Sequence, residues 1–209
     1  SVLNLGSHPL CDDLISLDDP CQSITYPIEI LYCENCATAH QRFQISKQDL
    51  FPKTYHYRPR FTADVLNGMS DLVNACEKQV RSTLEGKIIL DIGCNDCSLL
   101  DFFHKKGAQT VGVEPTAAYL DGLNKGHALF NEYFCSELAK EIRATYGSPH
   151  IITFTNVFAH IEDLSELINA LKILISPHTT LVIENHYLGA VLDHYQFDTF
   201  YHEHIRTYS

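Results

Sequence analysis

Basic residues are scarce in this chain. Fifteen Lys and Arg stand against 26 Asp and Glu over 209 residues, a formal net charge of −11. That balance repels a phosphate backbone and argues against nucleic acid as a partner. Long apolar runs are also missing. None reaches the roughly 20 residues that a membrane-spanning helix needs. No basic-then-apolar leader opens the sequence, so the expectation is a cytoplasmic protein with no membrane partner. Internal repeats and low-complexity stretches are absent. The hydrophobic content of 45% is that of ordinary globular material and allows one substantial domain with a small appendage. Eight cysteines lie scattered through a core-forming chain, a usage that fits reduced thiols and a metal pair better than a disulfide scaffold.

Residues 1–60 are turn-rich, with Pro9, Pro20, Pro27, Pro52 and Pro59 and no long helical period. β-like runs at Ile28–Tyr32 and Arg42–Ile45 flank Cys33-Glu-Asn-Cys36. This stretch is expected to be a small β-rich module. Over residues 61–86, Val65, Leu66, Met69, Leu72, Val73 and Val80 recur at helical spacing and predict a linking amphipathic helix. From 87 to 209 the pattern alternates. Strands are predicted at 87–92, 110–114, 128–131, 150–155 and 179–185, and helices at 97–106, 116–125, 136–146 and 163–175. Such alternation predicts an α/β fold, a doubly wound, mainly parallel sheet with helices on both faces. Beyond Asn185 the chain turns irregular, polar and aromatic.

The most informative segment is Lys87-Ile-Ile-Leu-Asp-Ile-Gly-Cys-Asn-Asp-Cys97, followed by Thr110-Val-Gly-Val-Glu-Pro115. It reads as strand, glycine turn, helix, strand, acid. Ligands of doubly wound sheets bind at the carboxyl ends of strands, and an acid ending the second strand can accept both ribose hydroxyls of an adenosine. Gly93 lets the backbone approach a ligand closely. A dinucleotide site wants G-x-G-x-x-G, and only Gly93 is present. Asp91, Asp96 and Asp101 make the turn acidic, which disfavours pyrophosphate and suits a cationic nucleoside. S-adenosylmethionine is such a ligand, and the pattern looks like the first two motifs of class I S-adenosylmethionine-dependent methyltransferases, whose fold is Rossmann-like.

Two C-x-x-C pairs invite other chemistry. Cys33 and Cys36 have the knuckle spacing of zinc ligands, but a structural zinc takes four. Cys11, Cys21, His8 and His40 are the local candidates for the rest, and none has knuckle spacing. Cys94 and Cys97 sit between a strand and a helix, where a redox pair could lie. The surrounding acids raise thiol pKa, so the favoured reading is of two small residues in a nucleoside loop. Asn156-Val-Phe-Ala-His160 follows the fourth strand, which puts Asn156 at the ligand edge and His160 at the start of the next helix. Phe197-Asp-Thr-Phe-Tyr-His-Glu-His204 gathers Tyr201, His202, Glu203 and His204 after the fifth strand. General acid–base chemistry wants an imidazole of near-neutral pKa held by a carboxylate. Extended, the segment would put Tyr201 and Glu203 on one face and His202 and His204 on the other; as a turn it could bring all four together.

These segments, with Leu3-Asn-Leu-Gly-Ser-His-Pro-Leu10 and Leu50-Phe-Pro-Lys-Thr-Tyr-His-Tyr57, occur in an order that resembles the nucleotide-sugar C-methyltransferases of deoxysugar biosynthesis. The resemblance implies an N-terminal zinc-binding module, a central class I methyltransferase domain and a C-terminal domain for which this sequence has no counterpart. It implies that Asp91, Gly93, Asn95, Asp96, Glu114 and Asn156 hold S-adenosylmethionine. His204 becomes the base that removes a proton beside a sugar ketone, with Glu203 and Tyr201 orienting it or binding the sugar. Tyr55, Tyr57 and His160 become substrate contacts, and Cys33 and Cys36 zinc ligands. The implied partner is a small-molecule nucleotide sugar. The sequence departs from the family's pattern at Cys97, where glycine is usual, at Arg58 and Arg60, where serines are usual, and in lacking the first C-x-x-C of the zinc site. A sugar O-methyltransferase and a non-catalytic nucleoside-binding module remain as alternatives. An NAD-dependent oxidoreductase is disfavoured by the single glycine.

Overall fold

Every second residue of Thr25–Cys33 is apolar at its centre, and in the computed structural model of the chain this segment is a strand that buries Ile28 and Ile30. The structure describes residues 1–11, 14–18 and 23–209. They divide into two units, Ser1–Pro52 with Asn156–Glu162 and Glu184–Ser209, and Lys53–Thr155 with Asp163–Ile183. The first unit is therefore discontinuous in sequence.

In that β-rich unit a four-stranded antiparallel sheet runs in the order β1 (Leu3–Pro9), β2 (Thr25–Cys33), β3 (Thr38–Gln41) and β9 (Arg206–Thr207). The strand expected at Arg42–Ile45 lies instead at Thr38–Gln41. The turn after Cys33 is tight, and the register Cys33↔Thr38, Ile30↔Gln41 brings the chain straight back. Thr-Ala-His-Gln has little strand character by composition; burial of Thr38, Ala39 and Gln41 decides it. β1 alternates only at Leu3 and Leu5, which pack on the core of this unit, and was not expected; a bulge at Asn4–Gly6 interrupts it, with Gly6 at φ +81°. A four-residue helix, α1 (Lys47–Leu50), is capped by Ser46. The irregular C-terminal stretch contains a further helix, α6 (Leu188–Asp193), whose Leu188 and Val191 pack with Ile28, Ile30, Ala39 and Phe200.

In the α/β unit the five-stranded sheet has the order β6 (Ala128–Phe130), β5 (Gln109–Val113), β4 (Ile88–Ile92), β7 (Ile151–Thr155) and β8 (Thr180–Glu184). β4 pairs in parallel with β5 and β7, and β5 with β6. The order reverses at β4, so the loop that follows β4 stands at the topological switch point, where doubly wound sheets bind ligands. α2 (Ala63–Val80) and α3 (Ser98–Lys105) pack Val73, Cys76, Leu99 and Phe103 against Ile89 and Ile151. α4 (Ser136–Tyr146) and α5 (Leu164–Leu174) complete the helices of this unit, α5 being capped by Asp163, which accepts from the amides of Ser165 and Glu166. The helix expected at 116–125 is a short 3-10 segment, Ala117–Gly122, started by Thr116. Among the described residues no helix is long and apolar enough to cross a membrane.

Candidate active site

In the α/β unit the chain leaves β4 through Gly93, Cys94, Asn95, Asp96 and Cys97. Gly93 (φ +75°), Asn95 (+48°) and Cys97 (+65°) all adopt left-handed backbone. Two amides, those of Gly93 and Cys94, donate to the Val113 carbonyl and fix the loop beside the end of β5. There Glu114 is 5% exposed, and its carboxylate accepts from the amides of Asn95 (3.0 Å) and Thr116 (2.8 Å). Each carboxylate oxygen has a second lone-pair site for a ligand hydroxyl. Asn95 Oδ1 is buried without a hydrogen-bond partner among the described residues. A spare acceptor beside a carboxylate suits donors such as ribose hydroxyls or an ammonium. By this test the loop fits S-adenosylmethionine.

The acidity expected of this turn is largely compensated within the fold, which corrects the electrostatic argument against pyrophosphate. Asp101 pairs with Lys125 (2.7 Å) and His127 (3.0 Å). Asp96 is fully buried: Oδ1 accepts from the amide and hydroxyl of Ser98, and Oδ2 lies 3.7 Å from Arg60. Asp91 is buried beneath the loop, accepts from the Thr153 hydroxyl at 2.6 Å, and is pushed up to about 7 by burial, with Glu114 adding to the rise. The structural obstacle to pyrophosphate is different. The first amide of α3, that of Ser98, is already taken by Asp96 and cannot be offered to a phosphate.

Cys97 does not crowd the loop. Its side chain points to Gly122, where a Cβ would stand 2.3 Å from the Cys97 sulfur. The missing side chain at 122 makes room for the extra one at 97.

Arg58 and Arg60 tie the Tyr55–Phe61 segment to the same unit. Both bond Asp121, at 2.7 and 2.8 Å, and Arg58 also donates to the carbonyls of Tyr55 and Tyr57. The Arg60 amide donates to Asp96. The segment that carries Tyr55 and Tyr57 is thus anchored by these two arginines.

In the β-rich unit, Phe197–Thr199 is a 3-10 turn and residues 201–204 form a second, closed by the His204 amide on the Tyr201 carbonyl. Gln41 of β3 pins this turn through its side chain on the Tyr201 carbonyl and its amide on the Ile205 carbonyl. His204 is 3% exposed. Its Nδ1 lies 2.7 Å from the Thr199 carbonyl, which can only accept. Nδ1 must therefore carry the proton, leaving the lone pair of a neutral ring on Nε2. Burial pushes His204 down to about 4, with His186 adding to the effect and the Thr199 bond opposing it. This corrects the expectation of a near-neutral imidazole held by a carboxylate: a backbone carbonyl holds it. Glu203 is buried and accepts from the Cys11 thiol at 3.5 Å.

Three rings surround His204: Tyr201, His186 and His160, with centroids at 4.0, 4.1 and 5.1 Å. His160 stacks on Phe51 and has a buried Nε2 without a hydrogen-bond partner among the described residues. Burial pushes it down to about 3, aided by His204 and His186. Asn156, at φ +54°, donates to Glu184. His202 turns elsewhere: its Nε2 donates to the Tyr26 carbonyl and its ring meets Tyr26 edge-on. The turn therefore does not gather all four of its polar side chains. His186 was missed by sequence reasoning, although it follows the fifth strand as Asn156 follows the fourth.

Cys33 and Cys36 flank the β2–β3 turn. The Cys33 thiol is pushed below its ordinary range by the Cys36 amide, the Cys36 side chain and the Asn35 amide. Among the described residues no group of three ligating side chains that could hold a metal occurs, and Cys21 lies outside them. Two thiols do not complete a zinc site. Cys33 does differ in reactivity from a buried thiol of the α/β unit. Cys76 is buried and pushed up to about 11 by desolvation. In metal-free protein at pH 7.5, iodoacetamide should alkylate Cys33 at least about 100-fold faster than Cys76. Equal rates by mass spectrometry would show that the turn does not activate Cys33.

A family model described as "Methyltransferase domain" matches residues 56–209. The chain belongs to this methyltransferase family. Its α/β unit has the fold of such a domain, and a model described as "Putative zinc binding domain" matches residues 1–51. The chain is 29% identical over 211 residues to the C-methyltransferase NovU of Streptomyces niveus. That alignment takes in 100% of this chain and 50% of NovU, so the chain spans about half the length of this curated relative. Among solved structures, a SAM dependent methyltransferase from Archaeoglobus fulgidus is 17% identical, with 63% of this chain and 61% of that one covered and a TM-score of 0.45. The sugar N-methyltransferase KedS8 from Streptoalloteichus sp. is 16% identical, with 59% and 50% covered and a TM-score of 0.47.

Proposed function

We propose that this chain binds S-adenosylmethionine, and that the whole protein methylates the carbon beside the ketone of a nucleotide-linked keto sugar. The observation that carries the reading is the 2.7 Å approach of His204 Nδ1 to the Thr199 carbonyl. Its Nδ1–H is committed to the Thr199 carbonyl, so Nε2 is a ready base. The name of the NovU relative supports carbon as the methyl acceptor. The Phe197–His204 segment, through its resemblance to nucleotide-sugar C-methyltransferases, supports the keto sugar.

When bound, S-adenosylmethionine supplies an electrophilic methyl group on a sulfonium. The chain's own residues do the rest. Glu114 accepts from the ribose hydroxyls, Asn95 Oδ1 accepts from a further donor, and Gly93 gives the backbone room. Nε2 of His204 takes the proton from the carbon beside the ketone. A base pushed down to about 4 is free at every physiological pH but intrinsically weak. The enolate it creates strengthens it, because a nearby negative charge favours the imidazolium. The Thr199 carbonyl steadies that cation through Nδ1–H, and the Tyr201 ring fixes the plane of the imidazole. Tyr201, Asn156 and His160 are assigned to the substrate's oxygens, and Tyr55 and Tyr57 to closing over the ligands. Zinc enters no step.

Titration calorimetry tests the nucleoside half. S-adenosylhomocysteine should bind and NAD should not. Glu114→Ala should weaken S-adenosylhomocysteine by about 10- to 100-fold, roughly 1.5–3 kcal/mol for a charged acceptor. Glu114→Gln controls for the two amides that the substitution leaves unpaired. Unchanged affinity in the folded alanine variant would place the nucleoside elsewhere.

A further inference from the structure

The proposed chemistry leaves one pair of buried nucleophiles unused. Cys94 and Cys97 are 5% and 0% exposed, and their sulfurs lie 3.8 Å apart in a thiol–thiol hydrogen bond. The amide of Cys97 donates to the carbonyl of Cys94 at 2.8 Å, so the two cysteines are the first and last residues of a β-turn. Such a turn holds its end Cα atoms within about 7 Å, and a disulfide wants roughly 4.4–6.8 Å. The pair is therefore set for bridging, and the two central residues of the turn are Asn95 and Asp96.

The surroundings accommodate these sulfurs with unusual closeness. A Cβ on Gly112 would stand 2.6 Å from the Cys94 sulfur, and one on Gly122 would stand 2.3 Å from that of Cys97. Each thiol rests where a glycine has left a side chain out. Burying two thiols against each other in this way needs no reaction. What points to one is their position at either end of a ligand-facing turn, together with backbone that is left-handed at Asn95 and Cys97. Non-glycine residues adopt that conformation under strain, and strain collects where a loop can change state.

We propose that Cys94 and Cys97 form a dithiol–disulfide site that reacts with a low-molecular-weight disulfide such as glutathione disulfide, and that closing it weakens nucleoside binding. The exchange balances. One protein thiol, as thiolate, attacks the glutathione disulfide and releases one glutathione. The second protein thiol attacks the resulting mixed disulfide at the protein sulfur and releases the other. Two protons and two electrons leave the protein, and the oxidant becomes two molecules of glutathione. Burial makes the exchange slow in the resting loop; the Cys94 thiol is held well above its ordinary range by its bond to Cys97, by burial, and by the charges of Asp91 and Glu114. Reaction proceeds through the opened loop, so a ligand that closes the loop protects the pair.

The consequence for the ligand follows from what is anchored. The sulfurs must approach from 3.8 Å to roughly 2.05 Å. Gly93 and Cys94 are tied to the Val113 carbonyl, and Cys97 opens α3. Rotation of the two side chains supplies most of that approach and draws the sulfurs out of the spaces at Gly112 and Gly122; the backbone adjustment that accompanies it falls on Asn95, since Asp96 is held by Ser98 and Arg60. Asn95 carries the spare Oδ1 acceptor, and its amide is bonded to Glu114. The disulfide thus pulls the acceptor and the amide away from the acid assigned to the ribose. The effect on affinity rests on the nucleoside reading above; the disulfide itself does not.

The test equilibrates the whole chain in glutathione buffers of stepped potential, quenches by alkylation under denaturing conditions, and maps peptides by mass spectrometry. The expected product joins Cys94 to Cys97. S-adenosylhomocysteine affinity should fall about tenfold in the oxidised protein and return with dithiothreitol. By linkage, saturating S-adenosylhomocysteine should favour the dithiol by the same factor. Cys97→Gly, which suits the φ of +65°, should bind S-adenosylhomocysteine with no response to oxidant; Cys94→Ala is the second such variant. Thiols that stay fully alkylatable, a bridge confined to Cys33 and Cys36, or a 94–97 bridge with unchanged affinity would each overturn the proposal. A reduced protein that binds no S-adenosylhomocysteine would instead sink the nucleoside reading and the coupling with it, while the peptide map still reads the bridge.

Discussion

His204→Ala should abolish methyl transfer while leaving S-adenosylhomocysteine affinity within a few-fold. A proton beside a ketone is too weakly acidic for water to remove quickly, so a positioned base must act before a methyl group can be accepted. A general base contributes about 10²–10⁴-fold, a loss that a single-turnover assay with a keto-sugar nucleotide reads plainly. Nucleoside affinity is spared because the proposed base touches the substrate, while the residues that fit the donor are Gly93, Asn95 and Glu114. The same substitution should stop exchange of the substrate's proton with deuterated water. His204→Asn tests the tautomer argument: its amide nitrogen stands where Nδ1 stood and can still donate to the Thr199 carbonyl, but it has no basic nitrogen. It should therefore keep the turn closed and remain inactive. A variant that methylates and exchanges at the parent rate would remove His204 from the mechanism and move attention to His186, whose ring is 4.1 Å away. This chain spans half of its relative, so methyl transfer by the parent is measured first and the variants are compared with it.

The α/β unit was legible because its signals are local. Apolar runs at Ile88–Ile92 and Ile151–Thr155 can only be buried strands when helical stretches with one apolar face separate them. The β-rich unit was legible in its character and in the strand at Ile28–Tyr32, but not in the rest of its sheet. Its sheet is closed by β9, only two residues long, and by β3, whose Thr-Ala-His-Gln becomes a strand through pairing and burial. Tertiary context, not propensity, makes these segments extended. The change of composition beyond Asn185 marks a boundary, but nothing in it, and nothing at residues 156–162, names the first fifty residues as partners.

The candidate site shows the same division. Gly93 and Glu114 were found because strand-end position carries their meaning. The environment of His204 was not found, because a backbone carbonyl leaves no trace in a sequence. Adjacency in the chain favoured Glu203 as its partner; the fold supplied Thr199. Acids counted along the loop looked like uncompensated charge, yet Arg60 and Lys125 reach them from elsewhere in the chain. Residue counts report charge; only contacts report whether that charge is free.

Acid should destabilise the protein through His160 and His204. Both are ordinary histidines in the unfolded chain, near 6.5, and are pushed down by burial to about 3 and about 4 in the fold. Between those values the unfolded state binds the protons that the folded state refuses, so stability rises with pH. The stabilisation is complete above 6.5 and is lost as pH falls, by about 1.4 kcal/mol per pH unit for each such group. Asp91 acts in the opposite sense. It ionises near 3.8 when unfolded and is pushed up to about 7 when folded, so from 4 to 7 it favours the fold as the solution is acidified. These three groups together leave one uncancelled histidine. The parent's unfolding free energy from urea titrations should therefore fall by roughly 1.4 kcal/mol per unit between pH 6 and pH 4.5 as their joint contribution. His160→Phe, which keeps an aromatic ring against Phe51, should flatten that slope by about one group's worth. It should do so even where it lowers stability at pH 7, because the slope reads protons and not packing. Parallel slopes for parent and variant would show that His160 protonates as easily in the fold as out of it, and that burial does not hold the cluster neutral.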